Sequence, residues 1–239
     1  MAQLFHPSTN ALAKATIFGG IFIVAGIAWA GNVWMRSTYV TQVDVVRDQP
    51  VPFSHDHHTS GLGIDCRYCH TSVETSPFAG IPSTEICMGC HAHIWRDSPL
   101  LEPVRESYRT GEPLQWTRVH DSPDFVYFDH SIHVAKGIGC ESCHGRVDRM
   151  PLMRKAVAMH MEWCLDCHRH PELAVRPRSD IYKFGNRDQT GVLDPEETFE
   201  SSHDSVTPTL QPESADAEQL VKDYGIVKEQ LTNCVICHR

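Results

Sequence analysis

The sequence predicts short helices and irregular loops with little sheet, packed around bound groups and preceded by one membrane-spanning helix. Three observations carry that prediction. The pattern Cys-x-x-Cys-His occurs five times, one uninterrupted apolar run lies near the N-terminus, and a sizeable share of the chain's apolar residues sits in that run. What remains is thin for the core of a 239-residue chain.

The five copies stand at Cys66/Cys69/His70, Cys87/Cys90/His91, Cys140/Cys143/His144, Cys164/Cys167/His168 and Cys234/Cys237/His238. Each is the local signature of covalent c-type haem attachment. Two thiols separated by two residues form thioethers to the haem vinyl groups, and the His that follows lies under the iron as its proximal ligand. All ten cysteines are used. A Cys-x-x-Cys pair alone would also suit half a zinc site or a redox disulfide. A four-cysteine zinc ribbon takes such pairs in twos, so five leave an orphan. Neither zinc nor a dithiol explains a His after every second cysteine. The expected fold class is therefore a multihaem c-type cytochrome, mostly irregular, with short α-helices wrapped around five covalently bound haem c groups, little sheet, and one N-terminal transmembrane helix. Fewer than fifty residues serve each macrocycle, so porphyrin takes the place of Leu, Ile and Phe in much of the interior. The formal net charge of −9, to which haem propionates add, excludes a nucleic-acid partner and favours a positively charged or small protein partner.

Residues 1–14 read as a cytoplasmic N-terminus and 15–36 as the transmembrane helix. Ala15 to Met35 carry no charge and lie between Lys14 and Arg36, long enough to cross a bilayer. Trp29 and Trp34 sit toward one end, where interfacial aromatics belong. Ala28-Trp29-Ala30 resembles a signal-peptide cleavage site, but the apolar run continues past it, which favours a retained anchor. Lys14 and Arg36 nearly balance, so charge does not set the sidedness. Covalent haem attachment is completed outside the cytoplasm, which places the haem-bearing bulk on the periplasmic side of the inner membrane.

Residues 37–52 read as an extended linker ending at Pro50 and Pro52. A first haem-pair unit spans 53–97 and a second spans 128–172. Both open with Phe-x-His-x-x-His (Phe53 to His58, Phe128 to His133), pass through a Gly-x-Gly loop and reach a haem motif, an internal repeat of about 75 residues. Between them, 98–127 is a connecting segment with a short helix. Ser98 and Pro99 cap and start it, Leu100, Leu101, Val104 and Tyr108 form its inner stripe, Pro103 delays its start by a turn, and Gly111 ends it. Helical turns are expected over Glu85 to Trp95 and Arg154 to Arg169. Residues 173–220 read as an acidic, haem-poor arm, since 186–218 hold nine acidic residues against Arg187 alone. Residues 221–239 form a C-terminal segment carrying the fifth motif.

An iron that only moves electrons needs a sixth ligand. Sixteen histidines less the five proximal ones leave eleven candidates. No lysine replaces the proximal His in any motif, which argues against the substrate-reducing haem of multihaem nitrite reductases. For one distal position His120, His160 and Met161 all remain candidates. Met161 would give a Met/His haem of raised potential.

The two Phe-x-His-x-x-His segments resemble the distal-ligand motif of the small class III multihaem cytochromes. In that family the first His ligates the haem attached just downstream and the second reaches a neighbouring haem. The resemblance implies that His55 serves the Cys66/Cys69 haem and His130 the Cys140/Cys143 haem. His58 and His133 would then serve the second haem of their respective units. His57 is offset from the repeat and points to solvent or a propionate.

Over residues 14–172 and the last few, the chain resembles the pentahaem, membrane-anchored subunit of alternative complex III, a bacterial quinol-oxidising respiratory complex. The anchor carries this, together with PFSHDHHTSGLGIDCRYCH, AGIPSTEICMGCH, LQWTRVHDSPDFVYFDHSIHVAKGIGCESCHGRVDRMP and MEWCLDCHRHP. The resemblance favours His120 or Met161 for the open distal position. It implies a subunit that is not an enzyme on its own. Membrane quinol-oxidising subunits and an iron–sulfur subunit would supply electrons, and a monohaem cytochrome c or a terminal oxidase would accept them. Two rivals are a one-span multihaem quinol dehydrogenase feeding a periplasmic reductase and a multihaem reductase with an open iron.

Overall fold

A computed structural model describes residues 6–185 and 216–238. Most of the acidic segment 186–218 lies outside the described residues. The chain divides into two compact units, Met1–Val43 and Asp44–Arg239.

The first unit is dominated by α1 (Ser8–Arg36), a 29-residue helix whose most apolar 18-residue stretch has a mean hydropathy of 1.9. By length and composition it can cross a membrane. It begins ahead of the apolar run because Ala11, Leu12 and Ala13 are strong helix formers. Phe18, Ile21, Phe22, Val24 and Ile27 are all exposed, and no residue of α1 is buried. An apolar helix without protein cover suits lipid. Ser37, in extended backbone, breaks α1, and a single turn α2 (Thr38–Thr41) follows.

The second unit has no named strand among the described residues. Its two isolated bridges are Val46 with Arg154 and Ile138 with Val175. Its helices are short: α3 (Cys66–Cys69), α4 (Thr84–His91), α5 (Glu102–Thr110), α6 (His130–Ala135), α7 (Glu141–His144), α8 (Met161–Arg169), α9 (Ala217–Asp223) and α10 (Cys234–Cys237). Segments of this length have no independent stability, so tertiary attachment must hold them. The buried apolar side chains are mainly Val and Ala, with Met150 and Ile181 the largest; no Phe, Leu or Trp is buried among the described residues. A polypeptide interior of this kind is the thin core expected of a chain that wraps large apolar groups.

Three features differ from the sequence reading. The connecting helix starts as a 3₁₀ turn (Pro99–Leu101) and becomes α5, but Leu100 and Tyr108 are exposed. Its inner face is Val104 and Ser107, and the Ser107 hydroxyl donates to Glu112 O at 2.6 Å. Gly111 ends it at φ 77° as expected. Residues 154–160 are not helical; Arg154 is bridged to Val46, and Ala156 and Val157 are buried. Residues 173–185, placed with the arm on charge, are part of the folded body. They bury Ala174, Val175, Arg176 and Ile181, and Arg176 N donates to Gly137 O at 2.8 Å.

Candidate haem centres

Every Cys-x-x-Cys-His sits on a helical turn: α3, the end of α4, α7 with its preceding residue, α8 and α10. The turn places both thiols on one face. The His backbone N–H donates to the first cysteine's carbonyl in three of them, at 2.8 Å for His70 and His238 and 3.0 Å for His144. No disulfide links any of the ten thiols.

The rings of four of the motif histidines are fixed through Nδ1. His70 donates to Gly80 O (2.6 Å), His91 to Ile94 O (3.0 Å), His168 to Leu231 O (2.8 Å) and His238 to Phe125 O (2.9 Å). With Nδ1 carrying the proton, Nε2 presents its lone pair, the form a metal requires. His144 is fixed differently: burial first, then neighbouring imidazoles, holds it well below the usual His range.

Three histidines of the repeated segments show the same pattern. His58 donates to Ser54 O (2.7 Å), His133 to Asp129 O (2.6 Å) and His130 to Pro77 O (2.8 Å). The leading Phe sets both rings in each unit. Phe53 stacks on His58 at 4.5 Å and meets His55 edge-on at 4.9 Å; Phe128 stacks on His133 at 4.6 Å and meets His130 edge-on at 4.7 Å.

Two imidazoles sharing one metal at about 2.0–2.1 Å each have ring centres roughly 6.3 Å apart. Three pairs stand at that separation: His58 with His91 and His133 with His168, both at 6.2 Å, and His130 with His144 at 6.3 Å. His55 is half-buried near His70, its buried Nδ1 without a partner, and desolvation followed by the His70 and His58 charges lowers its pKa to about 4. No three His, Cys, Asp or Glu side chains converge on one point among the described residues. Imidazole pairs flanking a single iron produce that arrangement, whereas a four-thiolate zinc site would not. Oriented imidazoles and buried ring nitrogens of His55 and His120 without partners fit haem iron.

The candidates for the remaining distal position are separated. His120 lies on the third motif, 4.4 Å from His144 and tilted 66°, closer than two ligands of one iron stand. Its buried Nε2 has no partner, and burial, then Lys155, lowers it to about 4. Met161 is exposed at the start of α8, and His160, just ahead of it, is exposed as well. His57 stacks on Trp95, ring centres 6.0 Å apart.

Sequence reasoning missed the carbonyls that orient the rings, at Pro77, Gly80, Phe125 and Leu231, because only the chain path brings them there. It also missed the ion cluster beside α7. Buried Arg176 reaches Glu141 (3.2 Å) and Lys183 O (3.0 Å), while Arg146 pairs with Asp148 at 2.8 Å. A Cβ on Gly139 would stand 2.8 Å from the Arg176 side chain, so only glycine fits there.

The fold class these features define is that of the multihaem c-type cytochromes. Residues 126–191 match the family described as cytochrome c7 and related cytochrome c. Over 99 residues the chain is 35% identical to the multiheme cytochrome c subunit of a menaquinone reductase from Nitratidesulfovibrio vulgaris (strain Hildenborough). That similarity covers 41% of this chain and 46% of the relative, so the chain spans less than half the length of the protein it matches.

Proposed function

We propose that the chain is a pentahaem cytochrome c that moves electrons within a membrane-bound, quinol-linked respiratory complex and has no substrate of its own. The single observation that carries this is the set of three imidazole pairs whose ring centres stand 6.2–6.3 Å apart, the spacing at which two imidazoles would hold one iron between them. When bound, haem supplies the Fe(III)/Fe(II) couple. The protein's own residues would hold the haems: backbone carbonyls fix the direction of the motif histidines and of His58, His130 and His133, and the paired imidazoles would occupy the positions a substrate would otherwise take at those irons. His55 is assigned to the His70 haem, His58 to the His91 haem, His130 to the His144 haem and His133 to the His168 haem. The fifth distal ligand is assigned to His120 or Met161. The helix α1 anchors the haem unit, which faces the periplasm.

The relative's role in a menaquinone reductase supports a quinol-linked setting. Within it, the reading extends to an alternative complex III, with membrane quinol-oxidising subunits and an iron–sulfur subunit upstream and a cytochrome c or terminal oxidase downstream. The same relative's name also supports a second reading, a one-span quinol dehydrogenase. Mixing the purified holo-chain with a reduced short-chain menaquinone separates the two. Haems that stay oxidised until the partner subunits are added agree with the wire; rapid reduction of the chain alone establishes the dehydrogenase. A high-spin signal in the resting protein from one of the four sites assigned two histidines would count against the wire and favour a reading with an open iron.

A further inference from the structure

The five motifs do not pack in the order in which they occur along the chain. Cys69 of the first motif faces Cys87 and Cys90 of the second. A Cβ on Gly89, inside the second motif, would stand 3.9 Å from the hydroxyl of Tyr68, inside the first. The Cys66 and Cys140 sulfurs, the latter of the third motif, lie within reach of one another. Around that contact, His130 N and Nδ1 both donate to Pro77 O, at 3.1 and 2.8 Å, and the Tyr182 hydroxyl donates to Glu74 at 2.6 Å.

Cys143, the third motif's second thiol, is flanked by Cys164 and Cys167 of the fourth. The single turn of α6 supplies His130 to one of these motifs and His133 to the other, 6.3 Å and 6.2 Å from their proximal rings. Cys164 in turn has Cys237 of the fifth motif beside it. His168 Nδ1 is held by Leu231 O at 2.8 Å, three residues before the fifth motif begins.

We infer that the attachment sites form a single file in the order second, first, third, fourth, fifth, and that redox partners engage the file at its two ends, Cys87/Cys90 and Cys234/Cys237. This rests on the electron-wire reading above and adds the sequence of sites and the surfaces where partners dock. Each interior motif has two motif neighbours and each end motif has one. Exposure supports the same ends independently. Cys90 and Cys234 are the two exposed cysteines, one on each terminal motif, and the other eight are partly covered. Apolar side chains suited to a protein partner stand open at both ends, Ile94 and Trp95 after the second motif and Val235 and Ile236 within the fifth.

The test is an experimental structure of the full-length holoprotein in its membrane complex, reading each iron against its motif. The expected result is nearest-neighbour irons in the stated order, with partner redox centres closest to the second- and fifth-motif irons. A file in chain order, a branched cluster, or a partner centre closest to an interior iron overturns the inference. A second measurement uses Cys87→Ala/Cys90→Ala and Cys140→Ala/Cys143→Ala in the full chain after a sub-stoichiometric reducing pulse. The first variant is expected to keep fast internal redistribution among its four haems and the second to lose it; equal behaviour overturns the order. If the interior variant does not accumulate with haem, the iron positions decide. They do so whether or not quinol proves to be the electron source, which only the quinol-reduction experiment addresses.

Discussion

In residues 53–66 the second His of Phe-x-His-x-x-His stands eight residues before the first motif cysteine, whereas in residues 128–140 the interval is seven. The two units absorb that difference in one place. The second unit runs through the α-helix α6, capped by Asp129, whose carboxylate accepts from Ser131 N at 2.8 Å and Ile132 N at 3.4 Å. The first unit instead makes a π-helical turn over His57–Gly61. A π-turn closes its hydrogen bond one residue later than an α-turn and so holds one extra residue. Register is restored directly afterwards: Ile64 N donates to His58 O and Ile138 N to His133 O, both at 3.0 Å, each two residues before the motif cysteine. Gly63 (φ 68°) and Gly137 (φ 81°), the residues just before, both take left-handed backbone. The fixed quantity in both units is the position of two imidazoles relative to the thiols downstream, and the intervening turn adjusts to keep it.

Breaking that fixed quantity has the largest expected effect. His133→Ala should convert one haem of the set to high spin, readable by EPR and by the near-infrared ligand bands. His57→Ala, which touches Trp95 and belongs to the adjustable turn, should leave every haem low-spin. Equal spectra from the two variants would refute the equivalence of the two units.

The glycines sharpen the comparison. A Cβ on Gly137 would overlap the Tyr224 ring as well as straining a left-handed backbone, while nothing lies within 4 Å of a Cβ on Gly63. Gly137→Ala should therefore cost about 2–4 kcal/mol, the sum of backbone strain and overpacking. Gly63→Ala should cost only about 1 kcal/mol from the backbone. Denaturant unfolding followed at the Soret band compares them.

The caps differ as well. Asp129→Ala should cost about 1 kcal/mol by uncapping α6. The Ser131 hydroxyl, with the Ile132 and Ser131 N–H groups, holds the Asp129 carboxyl below its usual range. The cap's contribution is therefore whole near neutral pH and is lost as pH falls through the lowered folded-state value, so wild type and variant should converge in acid. Deleting Ser60 should have the smallest effect. It restores the shorter interval of the second unit and loses the 2.6 Å hydrogen bond to Asp148 O, about 1 kcal/mol, with haem content unchanged. Loss of a haem from this deletion would show the π-turn to be required for ligation.

The Cys-x-x-Cys-His motifs and the apolar helix were legible in the sequence because each is a local pattern. The repeat was legible for the same reason, since Phe53 and Phe128 recur with their histidines. The extra residue was visible as a spacing, but its π-turn was not, because a Gly-Leu-Gly loop has several ways to hold it. Packing across the chain was not legible at all. Nothing local to Cys66 indicates that Cys140 is its neighbour, and Leu173 to Val175 read as the start of an acidic arm because charge dominates the residues from 186 onward. His120 was legible as a candidate ligand, but its place against His144 depends on a long connecting segment.

The proposed electron wire requires five covalently held haems, four of them with an imidazole on each side of the iron. Intact-mass analysis of the purified holoprotein combined with low-temperature EPR tests it most directly. The expected result is a mass increment of five haems and low-spin signals from the four sites assigned two histidines. Fewer than five haems, or a high-spin signal that disappears when one of those four motifs is deleted, would contradict it.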